Sequence, residues 1–142
     1  MKNYKTWLKT AAIFQFITAF LHAITLFVTP PPNNETEKQL YELMNTYQFD
    51  FGAGFHRTME ELTIALSSCL SLFFLLSGLI NWYLLRKKAD SETMKGIITI
   101  NLILFGLFFI LTVKFTFLLP IIQTGLTFIF LVFSRLSLNK NN

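Results

Sequence analysis

Three stretches of this chain carry no charged residue over a length that matches a membrane. Thr10 to Val28 is 19 residues, Leu62 to Leu85 is 24 and Gly96 to Val113 is 18. A helix rises about 1.5 Å per residue and the hydrocarbon core of a bilayer is about 30 Å thick, so each run can cross it once. A fourth apolar run extends from Phe115 to Ser134, interrupted by Pro120, and continues past Arg135 through Leu136 and Leu138. Proline is tolerated in the first turn of a helix, where the N–H it lacks would have no partner. "KFTFLLP" therefore reads as a tight hairpin, with a fourth helix from about Pro120 to Leu138. The expected fold is all-α, a four-transmembrane-helix bundle forming a single integral membrane domain over residues 1–142. Its spans are expected at about 8–28, 58–85, 95–114 and 119–138, with an outer loop at 29–57.

Composition argues the same way. Hydrophobic residues make up 53% and charged residues 14% of the 142 residues, against about 25% charged in an average soluble domain. Seventeen phenylalanines add aromatic bulk with no polar handle. The formal charge of +4 would suggest nucleic acid in a soluble protein. Here the basic residues fall in short clusters between apolar segments, where orientation in a bilayer explains them and nucleic-acid binding is not expected. The one cysteine, Cys69, has no partner within the chain and lies in an apolar run, so it reads as a small packing residue.

Short cytoplasmic loops accumulate Lys and Arg. With the N-terminus inside, Lys2, Lys5, Lys9, Arg86, Lys87, Lys88, Lys95, Arg135 and Lys140 fall on the inner side, and Lys38, Arg57 and Lys114 on the outer. Nine against three predicts that both termini face the cytoplasm, with Thr29 to Glu61 outside. A cleaved leader is the rival reading of the first segment, since "MKNYKTWLK" is charged and an apolar stretch follows. The candidate cleavage site before Ile24 has Leu21 where a small residue is required, so the segment is expected to remain as a span.

In the outer segment, three prolines stop helix one, and Asn33 or Asn34 can cap a short helix starting near Glu35. Leu40, Leu43, Met44 and Tyr47 make one apolar stripe along it. Two readings stand for this extracytoplasmic amphipathic helix: a lid or partner surface, or a connector lying on the headgroups. "FGAGF" reads as a flexible return into helix two.

A membrane helix needs no polar face toward lipid, so polar residues at helical spacing mark the side that meets other helices or water. Ala11, Gln15, Thr18, His22 and Thr25 form such a stripe on helix one. On helix two, Arg57, Glu61, Ser68, Ser71 and Gly78 share a face, while Leu62, Leu66 and Phe73 point away. Helix three offers Thr99 and Gly106 on one side, ending in Lys114, and Asn101 and Thr112 on another; helix four begins with Gln123, Thr124, Gly125 and Thr127. The interior is thus expected to be more polar at its outer end, with Gln15 and Asn101 as interhelical glue in the inner half.

The outer end is where "FHRTMEEL", residues 55 to 62, places a histidine, an arginine and two glutamates at the mouth of a span. His22 lies six residues before Val28, roughly 9 Å below the end of helix one at about 1.5 Å per residue. A charge in hydrocarbon carries a penalty of at least about 2.5 kcal/mol, so such groups pair, reach toward water or face a cavity. Arg57 and Glu61, four apart, are expected to meet on one helical face as an ion pair. Glu60 points elsewhere, toward the outer helix, the interface or Lys114, and His56 is expected at the water surface. The candidate ligand or ion-pair pocket comprises His22, Arg57, Glu60, Glu61, Lys114 and Gln123. Structural readings stand beside it: an orienting pair for Arg57 and Glu61, a snorkelling anchor for Lys114, and a hydrogen bond to a neighbouring helix for His22.

Signatures of well-known chemistry are missing. The sequence has no glycine-rich phosphate loop, no HExxH and no CxxC, and its histidines at 22 and 56 lack the company a haem or zinc set needs, so no cofactor and no metal are expected. No catalytic residue is assigned; the alternative is a membrane-bound enzyme or redox accessory in which His22 and Glu61 move a proton beside a lipid-soluble substrate such as a quinone.

"FDFGAGFHRTMEEL", "NWYLLRKK" and "KFTFLLP" resemble matching places in a family of small uncharacterised four-helix bacterial membrane proteins, and more distantly the chain is similar to DoxX-like membrane proteins. The resemblance spans most of the chain on short motifs. It places the family arginine on Arg57, its serine on Thr58, its acidic residue on Glu61, its helix-end tryptophan on Trp82 and its proline on Pro120. The sequence departs from the pattern at Met59 and Glu60, where the family has aromatic residues, and at Leu119, where it has alanine. The resemblance implies location, the bacterial inner membrane, and fold, and no established activity. The function expected is that of a non-enzymatic binding or accessory component, held in the lipid bilayer, with a membrane-protein partner or a homo-oligomer as its candidate protein contacts.

Overall fold

The computed structural model describes residues 4–28 and 30–139. Lys2, Thr29 and Lys140, which entered the charge count and the loop boundary, lie outside those residues. Five helices and one small hairpin run in the order α1 (Tyr4–Thr25), α2 (Glu35–Thr46), β1 (Gln48–Asp50), β2 (His56–Thr58), α3 (Met59–Lys87), α4 (Ser91–Phe115) and α5 (Leu118–Asn139). Four of them, α1, α3, α4 and α5, are long and apolar enough to cross a membrane. The chain is therefore all-α with four candidate spans, the pattern of a multi-pass membrane protein. Their outward surfaces agree: Phe20 is 66% exposed, Leu66 73% and Ile110 62%, a disposition that suits lipid rather than water.

The helix ends follow local chemistry. α1 reaches back to Tyr4, taking in Lys5 and Lys9, and stops at Thr25 rather than 28. The Leu26 N–H donates to the Ala23 carbonyl at 3.2 Å and the Phe27 N–H to that of Ile24 at 3.0 Å, a tightening to three-residue spacing that commonly closes a helix. α5 starts two residues before Pro120, which still lies in the first turn, where a missing N–H leaves no bond unmade. Between α3 and α4, Lys88 adopts φ 52°. Its N–H donates to Leu85 O at 3.3 Å and that of Ala89 to Leu84 O at 3.2 Å, the paired bonds of a Schellman cap. Asp90 then caps α4, its carboxylate accepting from the Glu92 N–H at 3.0 Å, the Thr93 N–H at 2.9 Å and the Thr93 hydroxyl at 2.7 Å. These bonds, led by that of the Thr93 backbone, hold the Asp90 carboxyl below the usual carboxylate range.

The chain forms two compact units. The first comprises Met1–Ala19 and Phe73–Asn142. Its core holds Leu8, Ala11, Ala12, Phe74, Met94, Ile98, Phe105, Leu131 and Leu138. Aromatic rings supply much of the contact: Trp7 packs against Phe130 and Phe133, and Phe74 lies edge-on to Phe105 with centroids 5.4 Å apart. Glycines receive rings from facing helices. A Cβ on Gly78 would lie 2.9 Å from Phe16, one on Gly125 3.0 Å from Phe109, and one on Gly106 3.1 Å from Phe128.

The second unit, Phe20–Leu72, contains the end of α1, the start of α3, and α2 with the hairpin. Asn34 caps α2 through its side chain, which accepts from the Glu37 N–H at 2.9 Å. Glu37 in turn accepts from the Asn33 side chain at 2.9 Å. The hairpin replaces the flexible return expected of "FGAGF". β1 and β2 pair antiparallel, Gln48 opposite Thr58, Phe49 opposite Arg57 and Asp50 opposite His56. Gly52 and Gly54 take φ 78° and 81° in the connecting loop, values that glycine reaches without strain. The Asp50 carboxylate accepts from the Gly52 N–H at 2.8 Å and closes the turn.

Candidate functional site

The expected site residues fall in both units. Lys114 and Gln123 belong to the first; His22, Arg57, Glu60 and Glu61 belong to the second.

In the second unit, the ion pair expected between Arg57 and Glu61 is not formed. The reason is local. Arg57 lies in β2, outside the helix, so the four-residue spacing does not bring the two side chains onto one helical face. Its guanidinium instead donates to the carbonyl of His56 at 2.8 Å and lies 5.9 Å from the Phe55 ring centroid, a cation–π contact. Glu61 accepts from the Thr58 N–H at 2.8 Å while the Thr58 hydroxyl accepts from the Glu61 N–H at 3.2 Å. Thr58-Met59-Glu60-Glu61 is thus a capping box. It fixes where α3 begins, and it engages the carboxylate that the acid-base alternative needs. Glu60 is half-buried, and His56 is exposed on β2.

His22 sits in the last turn of α1. Its carbonyl accepts from the Thr25 hydroxyl at 2.7 Å. Its Nε2 is buried and has no hydrogen-bond partner among the described residues. A buried polar atom left unsatisfied costs about 1–3 kcal/mol, so this imidazole differs in kind from the capping groups around Thr58.

In the first unit, Lys114 is exposed in the last turn of α4, 5.1 Å from the Phe115 ring centroid. A cation there opposes the negative end of the helix. Gln123 is half-buried, and its carbonyl accepts from the Thr127 hydroxyl at 2.9 Å.

The most connected polar group in this unit is one that the sequence disclosed only in part. Gln15 donates to the Ser77 hydroxyl at 3.0 Å, Ser77 donates to Asn101 Oδ1 at 2.5 Å, Asn101 donates to Asn81 Oδ1 at 3.2 Å, and Asn81 donates to Gln15 Oε1 at 3.0 Å. The four side chains form a closed ring joining α1, α3 and α4, and all are buried. Gln15 and Asn101 were legible as interhelical glue; Ser77 and Asn81 were not, although their four-residue spacing on α3 is a signal of the same type. A second bond joins the hydroxyls of Thr112 and Thr124 at 2.8 Å across α4 and α5. Toward the start of α1, the Ser134 hydroxyl donates to the Tyr4 carbonyl at 3.1 Å. Arg135 donates to the Thr99 hydroxyl at 3.0 Å and also bonds the side-chain oxygen of Asn139.

These interior groups answer one another, which leaves little for ligand chemistry. Cys69, expected to pack inside, is exposed. Among the described residues no group of three or more His, Cys, Asp or Glu could hold a metal ion. No protein-family model matches the chain, and neither a curated protein nor a solved structure matches it.

Proposed function

We propose that this protein is a small non-enzymatic component of a bacterial inner membrane, with both termini cytoplasmic. In this reading, polar groups near its outer face bind a membrane partner or a small amphiphile, such as a lipid headgroup or a quinone. The observation that carries the reading is His22, whose buried Nε2 has no partner within the described residues. An amphiphile that presents a hydroxyl or carbonyl beside an apolar body would satisfy that nitrogen while its remainder stays in lipid. Binding is favoured over acid-base catalysis because Glu61, the carboxylate proposed to share a proton with His22, is occupied by the Thr58 backbone N–H.

The test is purification of the full chain with its native lipid, followed by mass spectrometry of the small molecules that stay bound. His22→Phe keeps the aromatic bulk and should lose the bound species, whereas His22→Gln keeps a hydrogen-bonding side chain and should retain it. Equal amounts in the wild type and in a folded His22→Phe variant would refute the reading. Loss of a turnover activity in His22→Gln with binding intact would favour the enzymatic alternative.

A further inference from the structure

A cleft opens within the first unit where the early turns of α1 meet the last turns of α3. Lys9, Trp82, Leu85 and Arg86 line it, and its volume is about 190 Å³. Lys9 and Arg86 bring two positive charges to this one concavity, and neither has an ion pair among the described residues. Asp90, the acidic residue nearest in the chain, is committed to the N-terminus of α4.

The cleft is organised by packing rather than by charge. Gly78 leaves room for the Phe16 ring, and Phe16 stands edge-on to the Trp82 indole with centroids 6.4 Å apart. Lys9 Nζ lies 5.7 Å from the centroid of that indole, so the ammonium is held by a ring that is itself held. Arg86 follows Trp82 by four residues on α3, which puts both on the same helical face. Trp82 makes no hydrogen bond among the described residues, so its indole N–H is free to donate.

We propose that this cleft binds a single anionic phosphate group, with Lys9 and Arg86 as its charged contacts and the Trp82 N–H as a neutral donor. Guanidinium geometry matches phosphate oxygens in pairs, and basic pockets between membrane helices recognise anionic headgroups. The volume is below the roughly 300–1,000 Å³ of sites for drug-sized ligands and suits one headgroup rather than a nucleotide. Leu85 gives the cleft an apolar wall that a lipid's glycerol backbone would cover and a free phosphate ion would not. The phosphodiester of an anionic phospholipid is therefore the source that fits best.

The experiment uses the full chain in a neutral detergent, titrated with phosphatidylglycerol or phosphatidylcholine and read by native mass spectrometry. A parallel arm adds millimolar inorganic phosphate against chloride at matched ionic strength, because screening alone weakens exposed charges. Phosphatidylglycerol should bind several-fold more tightly than phosphatidylcholine. The Lys9→Gln/Arg86→Gln double variant should lose roughly thirtyfold in that affinity, from the contribution expected of two basic residues near an anionic headgroup. Lys87→Gln/Lys88→Gln removes the same charge from neighbouring exposed positions outside the cleft and should change affinity less than about twofold. Phosphatidylglycerol retained in phosphate buffer assigns the site to lipid; displacement by phosphate, and not by chloride, keeps the phosphate site and makes the soluble anion its source. Equal losses in the two double variants would describe diffuse attraction, and equal retention of the two lipids would describe binding blind to charge; either would overturn the proposal. Matched far-UV circular dichroism shows that each variant is folded.

Discussion

The ring of Gln15, Ser77, Asn81 and Asn101 can be tested by taking it apart one side at a time. Gln15→Met breaks two of its four bonds, to Ser77 and from Asn81; Asn101→Leu breaks the other two. Interhelical hydrogen bonds in membranes average about 0.6 kcal/mol and reach about 1.7, so each single variant should cost roughly 1–3 kcal/mol. In either one, Ser77 and Asn81 each keep one partner. The double variant removes both. Ser77 can turn its hydroxyl to a carbonyl of its own helix, as serine does in membrane helices, but the Asn81 amide is left buried and unmatched. That adds about 1–3 kcal/mol beyond the sum of the singles. Adding Asn81→Leu to the double variant should then recover much of this excess, because replacing every partner by apolar groups removes the unmatched amide. The measurement is reversible unfolding in mixed micelles of mild detergent and dodecyl sulfate, followed by far-UV circular dichroism, with the excess read from the completed cycle. A double variant that equals the sum of the singles within about 0.5 kcal/mol, or a triple variant less stable than the double, would refute the ring as a cooperative unit.

Three further outcomes are expected. Gly78→Ala forces a Cβ to 2.9 Å from Phe16 and should cost about 1–3 kcal/mol by overpacking, whereas Gly96→Ala, with nothing within 4 Å, should stabilise α4 by about 0.5–1 kcal/mol; the same unfolding assay reads both. Thr58→Ala removes the hydroxyl that accepts from the Glu61 N–H and should cost about 0.5–2 kcal/mol, with hydrogen exchange rising first in the opening turn of α3. Because its bonds lower the folded-state pKa of Asp90, the carboxylate stabilises the chain fully above the unfolded pKa, and that contribution is lost as pH falls through the lowered folded value. The difference in melting temperature between wild type and Asp90→Ala should accordingly be largest near neutrality and shrink in acid.

How legible this molecule was depends on the range over which each feature is decided. The four spans could be read because a charge-free run of membrane length has few other fates, and the α2 cap could be narrowed to Asn33 or Asn34, of which the structure uses Asn34, because capping is settled within four residues. The α1 stripe was legible for Ala11, Gln15 and Thr18, all buried, since helical spacing alone places them together. The hairpin was not. Gly52 and Gly54 announce backbone freedom, but pairing of Gln48–Asp50 with His56–Thr58 is a contact between segments that no spacing rule encodes. That omission produced the error at Arg57: assigned to helix two, it should have faced Glu61, and its place in β2, just before the capping box, sends it to the His56 carbonyl instead. Ser77 and Asn81 were missed because two small polar groups barely change the character of so apolar a helix, while their partners lie 24 and 66 residues away in the chain.

The two kinds of polar group in this chain separate structure from function more sharply than position does. Asn81, Asn101, Gln15 and Ser77 each meet another side chain, so α1, α3 and α4 are joined by polar groups that answer one another rather than a ligand. Thr58 and Glu61 are likewise consumed by the start of α3. What remains includes His22 in one unit, and the Thr18 hydroxyl and the cleft cations Lys9 and Arg86 in the other, groups with no hydrogen-bond or ionic partner among the described residues. Burying an imidazole nitrogen without a partner, or gathering two cations in a concavity without an anion, is unfavourable for the protein alone. Each becomes favourable when something else fills the deficit, and the chemistry required differs: a hydrogen-bonding group in an apolar setting at His22, and a negative charge at Lys9 and Arg86. A ligand that satisfies one would therefore do little for the other, so loss of phosphatidylglycerol selectivity in Lys9→Gln/Arg86→Gln should leave the species retained by His22 unchanged.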